Sequence, residues 1–205
     1  MLAYVFWHRP RDPSNTEGYE QALLAFHRSL AHSPPVGMSA SASFRLAELL
    51  WLAPPVGAQS GEGETRGGYE DWYLLEDFAA LGVLNEAAVG RGHVTSHDGV
   101  ARGYGAGAGA LYGLVEGEPC AASLAEASVA VWVERPLGSA DRGLGELLGD
   151  GMQPAHASLW RRQLVLGPGP EFCLLAQEPP PGVAPARLPD GWTASALTRD
   201  VLWSG

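Results

Sequence analysis

His8, Asp71 and Glu134 are the residues of this 205-residue chain whose types and strand positions suit proton transfer. A histidine beside a carboxylate acts as a general base near neutral pH, because the carboxylate fixes the imidazole tautomer. Arg162 can hold an anionic group in a two-pronged contact. The structural alternative for the same residues is a set of ion pairs at strand ends or between sheets. Other chemistries find less support. All 13 basic residues are Arg, which excludes a Schiff base and a lysine general base. Cys120 and Cys173 form no CxxC pair and no disulfide framework, and are expected as reduced thiols. His93 and His97 have a spacing that shares a metal on a helix. Gly90, Gly92 and Gly99 flank them, so a loop without metal is expected there. The run Gly103 to Gly109 precedes a strand instead of opening a helix, so it reads as strand-edge packing or a flexible connection, not a nucleotide loop. No histidine stands out as a haem ligand, and neither a metal nor another cofactor is expected.

Composition narrows the partners. The chain is 46% hydrophobic and 18% charged, ordinary for one large globular domain or two small ones. A net charge of -10 without a basic face argues against nucleic acid and anionic membranes. The first residues have neither a basic n-region nor an h-region, and no apolar run approaches the roughly 20 residues of a membrane span. A cytoplasmic protein is expected. The absence of Lys and Ile, both encoded by AT-rich codons, implies a GC-rich bacterial genome. A small-molecule ligand and assembly with further copies of the chain are the partners left open.

The elements that must position these residues follow from periodicity. Leu2 to Arg9 reads as a strand stopped by Pro10. A helix then starts at Ser14, with Glu17 completing a capping box and Tyr19, Leu23, Phe26 and Leu30 on one stripe. Strands are expected within Met38 to Leu52, at Tyr69 to Glu76 and at Gly109 to Val115. A loop covers Ala53 to Gly68, its Gly content predicting mobility. Asp77 caps a second helix carrying Phe78, Leu81, Leu84 and Ala88. The order β-α-β-β-α-β is the split βαβ unit. The remainder starts this order again. Val129 to Pro136 echoes Ala3 to Pro10, Leu164 to Pro168 echoes Leu50 to Pro54, and Glu171 to Leu175 echoes Asp71 to Leu75. A helix with Leu144, Leu147 and Leu148 falls between, and Trp192 to Trp203 closes the second copy as helix, strand or both. Three echoes in one order indicate a tandem duplication, residues 1–118 and a shorter, degenerate 125–205.

On this element order and internal repeat, over most of its length, the chain resembles the dimeric α+β-barrel superfamily in tandem-duplicated form. The resemblance implies an α+β fold of two ferredoxin-like units, their antiparallel sheets packed as a barrel-like sandwich. It also implies a pocket between sheet and helices or inside the barrel. The superfamily includes cofactor-free monooxygenases, isomerases, lyases and haem proteins.

Strand alternation assigns faces. Ala3, Val5 and Trp7 are expected under helices, with Tyr4, Phe6 and His8 facing the opposite sheet. In the copy, Val129, Val131 and Val133 take the helix side and Ala130, Trp132 and Glu134 the inner side. Asp71, Tyr73 and Leu75 match Glu171, Cys173 and Leu175. The expected site is therefore His8, Asp71 and Glu134 as catalytic groups. Phe6, Tyr73, Trp132, Arg162 and Glu171 are the expected ligand contacts, at the sheet–sheet interface. His8 and Glu134 are symmetry mates there, sharing a cavity or network with Asp71 or Glu171. The function expected is small-molecule binding, as a cofactor-independent oxygenase or isomerase. The alternative is a non-catalytic ligand-binding or assembly module.

Overall fold

A computed structural model describes residues 1–53, 67–138, 157–165, 167, 169–179 and 188–205. The mobile loop expected over most of Ala53 to Gly68, the helix with Leu144, Leu147 and Leu148, and residues 166 and 168 of the second echo lie outside them.

The strands are β1 (Leu2–Pro10), β2 (Met38–Leu46), β3 (Gly68–Leu75), β4 (Tyr104–Glu116), β5 (Val129–Glu134), β6 (Ser158–Val165), β7 (Phe172–Ala176) and β8 (Thr193–Ser204). They close into one barrel in the order β1-β3-β2-β8-β5-β7-β6-β4, and every pairing is antiparallel. The first four strands therefore run β4-β1-β3-β2 around the barrel, and the last four run β8-β5-β7-β6. Two seams join these sets, β2 against β8 and β4 against β6. The α+β architecture expected from the sequence is present, with the sheet closed rather than sandwiched. The ambiguous segment from Trp192 to Trp203 is mostly strand.

The helices are α1 (Thr16–His32), α2 (Phe78–Asn85), α3 (Val94–Ala101) and α4 (Ala121–Glu126), with a π-helical turn at Glu86–Gly90. The expected stripe of α1 is buried, but its start differs. Ser14 lies in a 3-10 turn capped by the Asp12 side chain, and Asn15 at the helix N-cap makes no side-chain cap bond. Asp12 outcompetes the Ser14–Glu17 box because its carboxylate takes both the backbone N–H and the hydroxyl of Ser14. Asp77 caps α2 as expected, accepting from Ala80 N. The loop expected around His93 and His97 is instead the start of α3. His93 explains this: Ser29 and the Ser33 carbonyl bond its two ring nitrogens at 2.7 and 3.0 Å, tying α3 to α1.

Tryptophans fill the barrel. Trp7, Trp72, Trp132 and Trp160 are all buried, with Trp7 and Trp132 centroids 5.2 Å apart. Buried among them, Glu70 Oε2 accepts from Trp7 Nε1 at 3.0 Å and Oε1 from Trp72 Nε1 at 2.7 Å. Arg199 reaches Glu70 from β8 at 3.1 Å, while its Nη1 donates to the Ala127 carbonyl at 3.0 Å. Burial pushes the Glu70 carboxyl up, opposed by Arg199 and the two indole N–H groups.

The face assignment of β1 is the reverse of that expected. Ala3, Val5 and Trp7 belong to the barrel core, while Tyr4 packs in the layer beneath the helices and His8 meets Tyr19 of α1. In β5 the expected faces hold: Ala130 and Trp132 point inward, Val131 and Val133 outward. The two echoes are thus one residue out of phase, and a one-residue slip exchanges the faces of every side chain. The β3 and β7 echo slips likewise, with Tyr73 beneath the helices and Cys173 inside the barrel. Both faces of β1 are covered, so the hydrophobic pattern alone did not mark the inner one.

Candidate functional site

Two strands and one helix bring a buried charged cluster together. β1 carries His8, β3 carries Asp71 and Tyr73, and α1 carries Tyr19 and His27 on the stripe facing the sheet. His8 Nε2 lies 3.0 Å from Asp71 Oδ2. His27 Nε2 lies 3.4 Å from Oδ1 of the same carboxylate. The Tyr19 hydroxyl meets His8 Nδ1, and Ser41 Oγ lies 3.0 Å from His27 Nδ1. The Tyr73 hydroxyl donates to Asp71 Oδ2 at 3.4 Å, and its ring stacks on His27 at 5.4 Å. His8, His27 and Asp71 are all fully buried. Burial raises the Asp71 carboxyl, but the two imidazoles outweigh it by charge and hydrogen bonding and hold it below the usual carboxylate range.

A cavity of about 510 Å³ lies beside this cluster, between the outer face of the sheet and the helices. Tyr4, Phe6, Tyr73 and Tyr104 form its sheet side. Leu84, Asn85, Ala88 and Val89 close it from α2 and the π-helical turn, and His97 from α3. The size falls within the range of ordinary ligand pockets, and such a π-turn is a frequent feature of functional sites. The glycines of β4 make the sheet side possible. A Cβ at Gly107 would stand 2.6 Å from Phe6 Cζ, and one at Gly109 would stand 2.7 Å from the Tyr4 hydroxyl. The aromatic side chains of β1 lie over positions where β4 has no side chain. Strand packing is therefore the role of this glycine run.

The expected site divides into two. His8, Asp71, Phe6 and Tyr73 come together on the helix side of the sheet. Glu134, Arg162 and Glu171 gather elsewhere. Glu134 Oε2 accepts from Glu171 N at 2.7 Å and lies 3.8 Å from Arg162 Nη1, which donates to the Gly169 carbonyl. Glu171 accepts from Arg135 Nε at 2.7 Å and faces Arg161 at 3.5 Å. His8 and Glu134 each bond within their own half, and no hydrogen bond joins them among the described residues. Trp132 packs among Trp7, Trp51 and Tyr112 inside the barrel, away from the cavity lining. The sheet–sheet interface expected to hold the pocket is occupied by these rings. The reversed phase of β1 explains the division, since it turns His8 out of the barrel.

His27, Tyr4 and Tyr104 were not among the expected site residues. His27 was detectable, because it stands four residues after Leu23 and eight after Tyr19, on the apolar stripe. Tyr104 sits inside the glycine run, whose composition signals backbone packing instead of a side-chain role. Among the described residues no group of three His, Cys, Asp or Glu is arranged to hold a metal ion, and no helix is long and apolar enough to cross a membrane.

No family model matches the chain, and no curated protein matches it in sequence. Among solved structures it is similar to one from Lactobacillus acidophilus NCFM, described as a putative monooxygenase. The two share 7% identity at a TM-score of 0.49, over 99% of this chain and 97% of the other. A likeness of that degree carries no argument about chemistry.

Proposed function

We propose that the protein binds a small apolar molecule in the cavity between the first-half sheet and α2–α3, with acid–base support from His8 and Asp71. The observation that carries this reading is a cavity of about 510 Å³ whose aromatic side backs directly onto the buried His8–Asp71–His27 cluster. A buried carboxylate is costly unless paired, and this one stands behind Tyr73, which lines the cavity. A cofactor-independent oxygenase or isomerase would use such a group to manage the proton of a bound substrate. The complete burial of His8 and Asp71 favours the second reading, ligand binding without catalysis, since neither touches the cavity itself. The strand orders β4-β1-β3-β2 and β8-β5-β7-β6, with their equivalent seams, support a tandem pair of ferredoxin-like units as the origin of the barrel.

The test is binding of the neutral fluorophore N-phenyl-1-naphthylamine, with mass spectrometry of small molecules retained by the native protein. Ala88→Trp fills the cavity from the π-turn. Binding that is saturable in the parent and lost in a folded Ala88→Trp protein supports the reading. Equal binding by both proteins, or none by the parent, overturns it.

A further inference from the structure

The polar groups of the cavity narrow what it can hold. Among the described residues its lining is aliphatic and aromatic except for three phenols, one amide and one imidazole: Tyr4, Tyr73, Tyr104, Asn85 and His97. No arginine among the described residues lines it, and the chain has no lysine. The Tyr73 hydroxyl is directed at Asp71 at 3.4 Å. The hydroxyls of Tyr4 and Tyr104 have no hydrogen-bond partner among the described residues. Both rings belong to one aromatic group: Tyr4 stacks on Phe6 at 6.4 Å and on Tyr73 at 6.0 Å, and Tyr104 meets Phe6 at 5.4 Å. An apolar cavity that presents unmatched O–H donors favours a ligand that brings acceptors, since a donor stripped of water by the ligand and left without a partner is costly.

We propose that the ligand is an uncharged carbonyl compound with an apolar body, its oxygen received by the Tyr4 and Tyr104 hydroxyls. A carbonyl oxygen has two lone pairs and accepts from two O–H donors. An alcohol or amine would add donors to a wall already rich in them. A carboxylate would enter the field of Asp71 with no cation in the cavity wall to offset it. The same field keeps the phenols protonated: burial first, then Asp71, pushes Tyr4, Tyr73 and Tyr104 above the ordinary phenol value. Donors that stay neutral and protonated polarise a carbonyl without competing for its proton. The inference rests on the cavity being the ligand site proposed above, and it adds the ligand's chemical class.

The probes are three naphthalenes of similar shape: 2-acetylnaphthalene, 2-ethylnaphthalene and 2-naphthoate. The ketone is expected to bind about tenfold more tightly than the hydrocarbon, as for one or two hydrogen bonds gained in a dry site. The naphthoate is expected to bind more weakly than the ketone. Tyr4→Phe and Tyr104→Phe should each remove several-fold of the ketone's advantage and leave 2-ethylnaphthalene affinity unchanged, so the hydrocarbon also reports that each variant is folded. The infrared carbonyl stretch of the bound ketone should fall below its value in hexane and move back toward it in each variant. Equal binding of ketone and hydrocarbon overturns the carbonyl assignment while keeping the cavity as a binding site. So does naphthoate binding more tightly than ketone, or a ketone advantage that survives both substitutions. Failure of all three probes to bind overturns the cavity reading itself.

Discussion

Tyr19 and Asp71 hold opposite nitrogens of one ring: the Tyr19 hydroxyl meets Nδ1 of His8, and Asp71 Oδ2 lies 3.0 Å from Nε2. Both ring nitrogens of His8 are therefore engaged, Nε2 by the carboxylate and Nδ1 by the phenol. The arrangement has the connectivity of a hydroxyl–imidazole–carboxylate triad, with the hydroxyl on a helix and the other two groups on neighbouring strands. Tyr19→Phe leaves the tilted and edge-on ring contacts intact and removes one bond. It is expected to lower unfolding free energy by about 1–3 kcal/mol, the cost of an unsatisfied buried polar group. Chemical denaturation checks the magnitude, and the nitrogen-15 shifts of His8 check whether its tautomer changes.

Asp71 makes stability depend on acid. Its folded pKa lies below the unfolded value near 3.8, so its contribution is complete above that value and is lost as pH falls through the folded one. Asp71→Asn is expected to cost about 2–3 kcal/mol near neutral pH, as for hydrogen bonds to a charged group. The difference between the two proteins should shrink as pH drops below 3.8. A difference independent of pH, measured by urea unfolding over this range, would contradict the assignment of the charge to Asp71.

Glu70 and Arg199 join the two halves through the barrel interior. Arg199→Met leaves a buried carboxylate without its cation and is expected to cost about 3–5 kcal/mol. The double variant Glu70→Leu with Arg199→Met should lose less than the single one, because both charges leave together. A denaturation series of the parent, both single variants and the double variant measures the coupling.

The glycine positions of β4 set the cavity floor. Gly107→Ala places a methyl group 2.6 Å from Phe6 Cζ. Overpacking of this kind is expected to cost about 1–3 kcal/mol. Phe6 should move toward the cavity, so binding of N-phenyl-1-naphthylamine should weaken more than the loss of stability explains. Unchanged affinity in a folded Gly107→Ala protein would mean that Phe6 does not shape the site.

The sequence displayed the elements more clearly than the faces. Short runs bounded by Pro and Gly marked β1, β3, β5 and β7, and the Asp77 cap marked the start of α2, because these signals are local. Two echoes fall on strands, β1 with β5 and β3 with β7, whereas the other sets Leu50 to Ala53, beyond the end of β2, against Leu164 in β6. Which way each strand turned was not local. His8 follows Trp7, and both are buried. Alternation separates two faces but names neither when helices cover one and a closed barrel the other. Alternation therefore groups Glu134 with His8, while the fold assigns each to its own half. His97 was hidden differently: flanking glycines suggested a loop, whereas the two bonds that tie His93 to α1 hold this segment in a helix.

The two seams have a consequence for the integrity of the chain. Each set of four strands is an open sheet with two outer strands, and in the barrel all four of these outer strands are paired across the halves. Either half alone would leave two unpaired edges, which recruit other strands. A nick in the link at residues 117–120, between β4 and α4, need not release the halves. The cut pieces should reassociate as a noncovalent pair, because each is the best available edge partner for the other. Expressed singly, each should instead pair with copies of itself, as a homodimer built on the same two seams or as an aggregate.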